Sequence, residues 1–286
     1  MVRPGRRHQH PLLHRSGRLA DVTGSTDRTD LSPGAGSTPP PELPPPAEPR
    51  QRWRLTFARD PVPADRVGRA VLDAWQETLT GSGLPLAGLD VGGGGRARIA
   101  FAASLPATAR GEAELADLWL LERRPSWAVR EALADQMPDA HRWIAAEDVW
   151  LGAPALAGQV VGADWHVEIV GRGLDRDRIA DAARRLIAAR TLTRTRLKGA
   201  TEKRYDLRPL LADIAIEPEA VPPVTPVTHR SIVLRLRTRI HPELGAGRPA
   251  EVIAALAESA DVELDINTMT RLRFLLGDEV PAPRRR

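Results

Sequence analysis

Arginine is the residue type with the most chemistry to offer in this sequence. Of 41 basic side chains only Lys198 and Lys203 are lysine. A guanidinium is planar, permanently charged and shaped to fork onto phosphates and carboxylates. Between positions 184 and 208, nine basic residues stand against two acids, Glu202 and Asp206; the nine are Arg184, Arg185, Arg190, Arg194, Arg196, Lys198, Lys203, Arg204 and Arg208. From Arg230 to Arg239 there are four arginines and no acid. Arg235, Arg237 and Arg239 alternate with Leu234, Leu236 and Thr238, and Arg194, Arg196 and Lys198 alternate in the same way. A period of two puts each trio on one face of a strand. Two arginine-faced strands in one sheet would suit a phosphate backbone. The expected RNA-binding set is Arg194, Arg196, Lys198, Lys203, Arg204, Arg208, Arg235, Arg237 and Arg239. The competing reading is a solvated face whose charges pair with acids elsewhere, and genome composition also accounts for an arginine bias. Support for base stacking is thin, since Tyr205 is the only tyrosine and tryptophans more often fill cores.

Other groups carry weaker signals. His166 and Glu168 fall on the same side of a strand, where an acid–base pair is conceivable, but nothing nearby specifies a nucleophile. His229 beside Arg230 could assist RNA cleavage. Gly92 to Gly95 could bring backbone N–H groups to a phosphate, yet no Lys-Ser/Thr ending and no helix directly follow, so a strand connection is the expectation. His8, His10 and His14 sit where nothing rigid would hold a metal. No catalytic, cofactor-binding or metal-binding residue is assigned, and no cofactor is expected. The absence of cysteine excludes disulfides, thiolate catalysis and thiolate-held zinc or iron–sulfur clusters within this chain, and fits a cytoplasmic protein.

The elements that would position these groups form two similar series. Residues 1–50 read as a disordered basic, proline-rich arm: positions 1–20 hold five arginines and no acid, and such a composition buries too little apolar surface to order itself. Residues 51–160 form the first expected unit. Trp53, Leu55 and Phe57 alternate in a strand; Val67, Val71, Trp75 and Leu79 follow at helical spacing; strands are expected near 97–101 and 113–121; a helix starts at Pro125-Ser126; and a strand runs over 143–151. Residues 161–280 repeat the order. Trp165, Val167 and Ile169 form a strand, Asp175 caps a helix, strands lie over 191–198, 205–216 and 231–240, Pro249 opens a helix, and 262–274 closes the unit as a strand or hairpin. Residues 281–286 are a basic tail. The fold class is α+β: tandem ferredoxin-like β-α-β-β-α-β units with antiparallel sheets. No apolar run approaches the ~20 residues of a membrane-spanning helix, so no membrane partner is expected.

The stretch Lys203-Arg-Tyr-Asp-Leu-Arg-Pro-Leu-Leu resembles a bacterial domain of unknown function linked to radical SAM proteins. Further segments follow in the family's order: Gly83-Leu-Pro-Leu, Ile99-Ala-Phe, Ser104-Leu-Pro, Glu112-Ala-Glu-Leu, Val149-Trp-Leu-Gly-Ala-Pro-Ala-Leu, Ala163-Asp-Trp-His-Val-Glu-Ile and Leu234-Arg-Leu-Arg-Thr. The resemblance covers about residues 51–276. Members occur alone or joined to the C-terminal side of a radical SAM domain, often encoded near a ribonuclease of the E/G type. Two places depart from the family: Ala58 to Pro63 replaces a Phe-Leu-Ser-His-like turn, and Gly92-Gly-Gly-Gly-Arg96 replaces a Gly-Phe-Asn-Pro-His-Pro-like loop. Any active site the family has there is expected to be lost in this copy.

Taken together, the resemblance implies a radical SAM partner and the charge pattern suggests RNA. The expected function is a non-catalytic accessory protein in RNA modification or processing. The alternatives are an RNA endonuclease of the tandem ferredoxin-like, CRISPR-repeat-processing kind, which rests on fold analogy, and a protein–protein scaffold.

Overall fold

The computed structural model describes residues 47–89, 94–198, 201–218 and 231–277. The expected arm before residue 47 and the tail after residue 277 lie outside the described residues. Among the described residues the fold is mixed α+β, with five α-helices and a mostly antiparallel nine-stranded sheet.

The first strand begins where the apolar alternation begins. In β1 (Gln51–Arg59), Trp53, Leu55 and Phe57 turn inward and are buried. They meet Trp75 and Leu79 of α1 (Arg69–Gly81) and Val129 and Leu133 of α2 (Ser126–Leu133). Gly83 follows α1 at φ +69°, a conformation that glycine adopts without a Cβ clash. The remaining strands of this half are β2 (Ile99–Phe101), β3 (Arg110–Leu120) and β4 (His141–Val149). β1 lies between β3 and β4, and β2 lies outside β3, all antiparallel, so the order is β4-β1-β3-β2.

A four-residue helix, α3 (Leu156–Gln159), leads into β5 (Val160–Val170). Asp175 caps α4 (Arg176–Ala188) as expected: its Oδ1 accepts from the Arg178 N–H at 2.7 Å, satisfying one of the helix's orphan donors. Next come β6 (Thr193–Lys198), β7 (Thr201–Asp206), β8 (Leu211–Ile216) and β9 (Ser231–His241). Then come the short β10 (Gly245–Ala246), α5 (Pro249–Ala260) and β11 (Asp265–Leu276). Pro249 occupies the first turn of α5, where its missing N–H costs nothing. In the sheet β5 sits between β9 and β11, with β8 outside β9, giving β8-β9-β5-β11. With β6, β7 and β10 left out and the second order read from β11, the two orders agree by chain position: fourth, first, third, second.

Two expectations about elements are corrected. Among the described residues β6 pairs only with β7, in a two-stranded sheet separate from the one that holds β9, and the two strands satisfy each other's backbone groups. The apolar strand expected over 205–216 is split: a 3-10 turn at Arg208–Leu210, with proline at its start, ends β7 and redirects the chain into β8. The last segment, expected as a strand or hairpin, is one continuous strand, β11.

The two halves meet where β11 runs parallel to β3 over two residue pairs, Thr270 with Arg110 and Arg271 with Gly111. Here Arg271, 2% exposed, forks onto Glu114, 5% exposed. The same guanidinium donates to the carbonyls of Ser104 and Ala103 and lies 4.1 Å over the Phe274 ring. Arg59 donates to the carbonyls of Leu105, Pro106 and Ala109. Behind β1, Asp117 is fully buried and accepts from both Arg52 and Arg54. Much of the arginine thus holds the fold together.

Candidate functional site

The alternation in β9 is as expected. Ile232, Leu234 and Leu236 are buried, and Arg235, Arg237 and Arg239 face away from the core. Neighbouring carboxylates and carbonyls engage all three. Arg237 donates to both carboxylate oxygens of Asp164, at 2.7 and 3.0 Å, and Arg273 reaches the same carboxylate at 3.2 Å. Arg235 lies 3.7 Å from Glu217. Arg239 donates to the carbonyls of Pro209 and Leu211, and Arg208 to those of Ile187 and Leu211. Arg208 and Arg239 therefore brace the turn before β8. Of this row only Arg235 stays mostly exposed, at 56%.

The β6–β7 hairpin is held differently. Arg194 pairs with Glu258 at 2.8 Å, and Arg196 forks onto Glu251 with two contacts of 2.5 Å; both acids belong to α5. Arg196 also stacks 4.3 Å over the Tyr205 ring. Burial pushes the Glu251 carboxyl up, but the fork from Arg196 outweighs it and the group is held below its usual range. Burial and the Glu251 carboxylate together push the Tyr205 hydroxyl up to about 12. Lys203 stands opposite Arg196 in register, and Arg204 opposite Thr195. Both are exposed, and no ion pair engages either among the described residues. The side chain of Lys198 lies outside the described residues.

His166 and Glu168 do share a face of β5. His166 Nε2 is 3.6 Å from Glu217. Glu168 is occupied elsewhere: Ser231, Asn267 and Thr268 hydrogen-bond to it and hold its carboxyl below the ordinary range. A carboxylate stabilised by three donors is a poor proton acceptor at neutral pH. His229, Arg230, Gly92, Gly93 and the N-terminal histidines lie outside the described residues; Gly94 and Gly95 lead into the segment before β2.

One cleft was not anticipated. The loop 61–66, one side of α1 and the turn 137–141 enclose a cavity of about 540 Å³. Its lining includes Val62, Val71, Ala74 and Met137, with His141 in the wall. His141 Nδ1 lies 2.8 Å from the carbonyl of Asp139. A carbonyl only accepts, so in the neutral ring Nδ1 carries the hydrogen and Nε2 a lone pair. That Nε2 is buried and has no partner among the described residues. The ring packs against Phe57 and Trp75, with centroids 5.5 and 5.6 Å away. Burial lowers its pKa, and nearby Arg59 adds to the effect. Ala140, next to it, adopts φ +63°, a conformation costly for a residue with a Cβ. Its carbonyl accepts from the Asp60 N–H at 2.8 Å. No spacing in the sequence could reveal this site, since a lone histidine ahead of a strand says nothing about a loop some eighty residues earlier.

A family model described as an uncharacterized protein conserved in bacteria (DUF2344) matches residues 94–242. No curated protein matches the chain. Among solved structures, a chain of a Cbf5-Nop10-Gar1 complex is similar at 10% identity over 78% of this chain and 48% of that one, with a TM-score of 0.45. A chain of the archaeal box H/ACA sRNP Nop10-Cbf5 complex is similar at 11% identity over 78% of this chain and 47% of that one, with a TM-score of 0.40. An unknown protein from Galdieria sulphuraria is similar at 14% identity over 76% of this chain and 96% of that one, with a TM-score of 0.21. This chain spans about half the length of the first two. Likeness at this level bears on neither the activity nor the partners of this chain.

Proposed function

The chain belongs to the bacterial family of uncharacterized proteins DUF2344, and from that premise we propose that it is a non-catalytic accessory protein that binds RNA through its β6–β7 hairpin. The observation that carries this reading is the hairpin's anchoring. Arg194 and Arg196 are drawn onto Glu258 and Glu251 of α5, and Lys203 and Arg204 are left exposed without an ion pair. A preorganised pair of strands with free cations at its surface suits a phosphate backbone. The β9 arginines contribute less, because Asp164 and Glu217 already hold Arg237 and Arg235. The fold reading is two ferredoxin-like units, 51–160 and 161–280, supported by the shared strand order of the halves. A radical SAM partner in RNA modification or processing is the remaining part of the proposal, and the ordered series of segments from Gly83 to Thr238 supports it.

The test is an RNA-binding titration at several salt concentrations, with wild type and Lys203→Glu/Arg204→Glu. Each phosphate contact on a single strand contributes a log–log salt slope of roughly −0.7, so the reversal should make the slope shallower by about 1.4 and weaken binding to every RNA sequence. Wild type that binds no RNA at low salt, or a reversal that leaves slope and affinity unchanged, replaces this reading with the scaffold. Capture of a radical SAM protein by the tagged chain from its own cells tests the partner separately.

A further inference from the structure

We propose that the chain forms a two-fold dimer through β4: each β4 pairs antiparallel with that of a second copy, and each Trp150 enters the other copy's cleft beside residues 137–141. β4 ends the main sheet, and among the described residues it pairs only with β1. Its outer edge leaves backbone donors and acceptors open to another strand. Of the six large apolar side chains exposed among the described residues, three lie in β4 or directly after it: Ile144 at 47%, Trp150 at 77% and Leu151 at 42%. Trp150 sits on a fixed turn. The Ala153 N–H donates to its carbonyl at 2.9 Å. The carbonyls of Ala153 and Pro154 accept from Arg52, which Asp117 holds in turn. An exposed indole held in place is a preorganised anchor.

Charge says what fits this edge. Arg142 and Glu147 are exposed, and no ion pair engages either among the described residues. Arg54, the cross-strand neighbour of Glu147, is already taken by Asp117. Arg142 and Glu147 lie opposite Ala58 and Arg54, which share a face of β1, so they share a face of β4. The register shift between Thr56 and Phe57 accommodates their odd spacing. An antiparallel copy centred between Ile144 and Ala145 sets Arg142 of each chain against Glu147 of the other. A parallel copy would set like charges together. The same register brings Trp150 opposite Asp139 and Leu151 opposite Pro138, both in the lining of the cleft of about 540 Å³. Ala146 and Asp148 share a face with Leu55 and Trp53, the face that α1 and α2 cover. The alternation carried past the strand puts Trp150 on that side too, where α1 walls the cleft. Val62, Val71, Ala74 and Met137 give the indole an apolar seat. Knob and hole, cation and anion thus stand at mirrored positions along one strand, which an isologous contact requires and a different protein's strand does not. β4 has nine residues, a length of about 30 Å, the span of a patch that buries about 800 Å² per partner. The proposal does not depend on the hairpin, since β6 and β7 pair with no strand of this half.

The experiment is sedimentation equilibrium of the full chain from roughly 1 to 100 µM. Wild type should dimerise within this range. Arg142→Glu and Glu147→Arg should each stay monomeric, because each sets like charges together at two places in the dimer. An equimolar mixture of the two variants should dimerise again, since every facing pair is then opposite in sign. Only pairing of β4 with β4 in this register predicts that rescue. Trp150→Ala should raise the dimer Kd by about thirtyfold or more, the loss of an aromatic anchor, and Ala74→Phe, which fills the cleft, should weaken the dimer in the same way. Circular dichroism confirms that each variant folds; Arg142, Glu147 and Trp150 are all exposed, and Trp150→Ala decides the role of the cleft if Ala74→Phe does not fold. Wild type that remains monomeric throughout overturns the proposal and leaves the edge to a strand of another protein. A dimer whose two charge variants fail to rescue each other, or which Trp150→Ala leaves as tight as before, overturns it as well.

Discussion

Arg271 and Glu114 lie 157 positions apart in the chain and form a buried fork across the seam between the two halves. Neither side chain reaches water to any extent: they are 3% and 6% exposed. The pair closes a junction of only two backbone pairings. Removing one partner leaves a charge buried without its counterion, at a cost of about 3–5 kcal/mol. Glu114→Ala and Arg271→Ala should each lower the unfolding free energy by that amount, while Glu114→Leu with Arg271→Met should lose much less, since no charge is then stranded. Equilibrium urea denaturation of the three variants checks this.

The two arginine surfaces should respond differently to charge reversal. Arg237→Glu places a carboxylate against Asp164, which is 9% exposed, and should destabilise the fold by about 1–3 kcal/mol. Lys203→Glu removes no contact and should stay within about 0.5 kcal/mol of wild type. Denaturation midpoints measured alongside RNA titrations separate a folding effect from a binding effect.

Tyr205 is the single tyrosine, so its ionisation can be followed by ultraviolet absorbance. Its folded-state value of about 12 lies above the ordinary 10.0, through burial and the neighbouring Glu251. The unfolded chain therefore releases this proton first as pH rises. The stabilisation is fully present below pH 10.0 and declines as pH climbs through about 12. The absorbance midpoint should fall in Glu251→Gln.

His141 has the opposite pH signature. Burial lowers its pKa, so the unfolded chain takes up a proton before the folded one as pH falls. Its contribution to stability is present above the ordinary histidine value and fades as pH drops through the lowered one. His141→Leu should flatten the pH dependence of the melting temperature in that window, and NMR titration of the ring should place its midpoint below that of an exposed histidine.

Ala140 carries its Cβ at φ +63°. Glycine there has no such clash, although it also makes the unfolded chain more flexible. Ala140→Gly should stabilise the protein by up to about 1 kcal/mol, and Ala140→Val should destabilise it; thermal melts decide.

Much of the fold is legible in the sequence because local signals are strong where an element has one buried face. Trp53, Leu55 and Phe57 announce β1, Asp175 announces the start of α4, and Pro249 that of α5. Sheet membership is less legible. The alternation of Arg194 and Arg196 is the same whether β6 joins the main sheet or pairs with β7 alone, since period two encodes a face and not a neighbour. Charge is less legible still. Arg235 and Arg237 look free in sequence, yet Glu217, just past β8, and Asp164 of β5 reach them. The cleft at His141 was invisible because it joins a loop, a helix and a turn that carry no shared motif.

The order of the strands has a consequence for how this chain is made. β5 ends at Val170, but the two strands that flank it begin at Ser231 and Asp265. β1 and β4, by contrast, are paired once Val149 has been synthesised. During translation the first half can therefore close early, while β5 waits with both edges open and Glu114 without its cation. Open edges of this kind invite pairing with other chains. A chain cut short within α5 would have β5 paired with β9 on one side, its other edge open, and a stranded buried carboxylate. Exposed edges of that kind are what chaperones and proteases act on, and β11 is the strand that covers the β5 edge and brings Arg271 to Glu114.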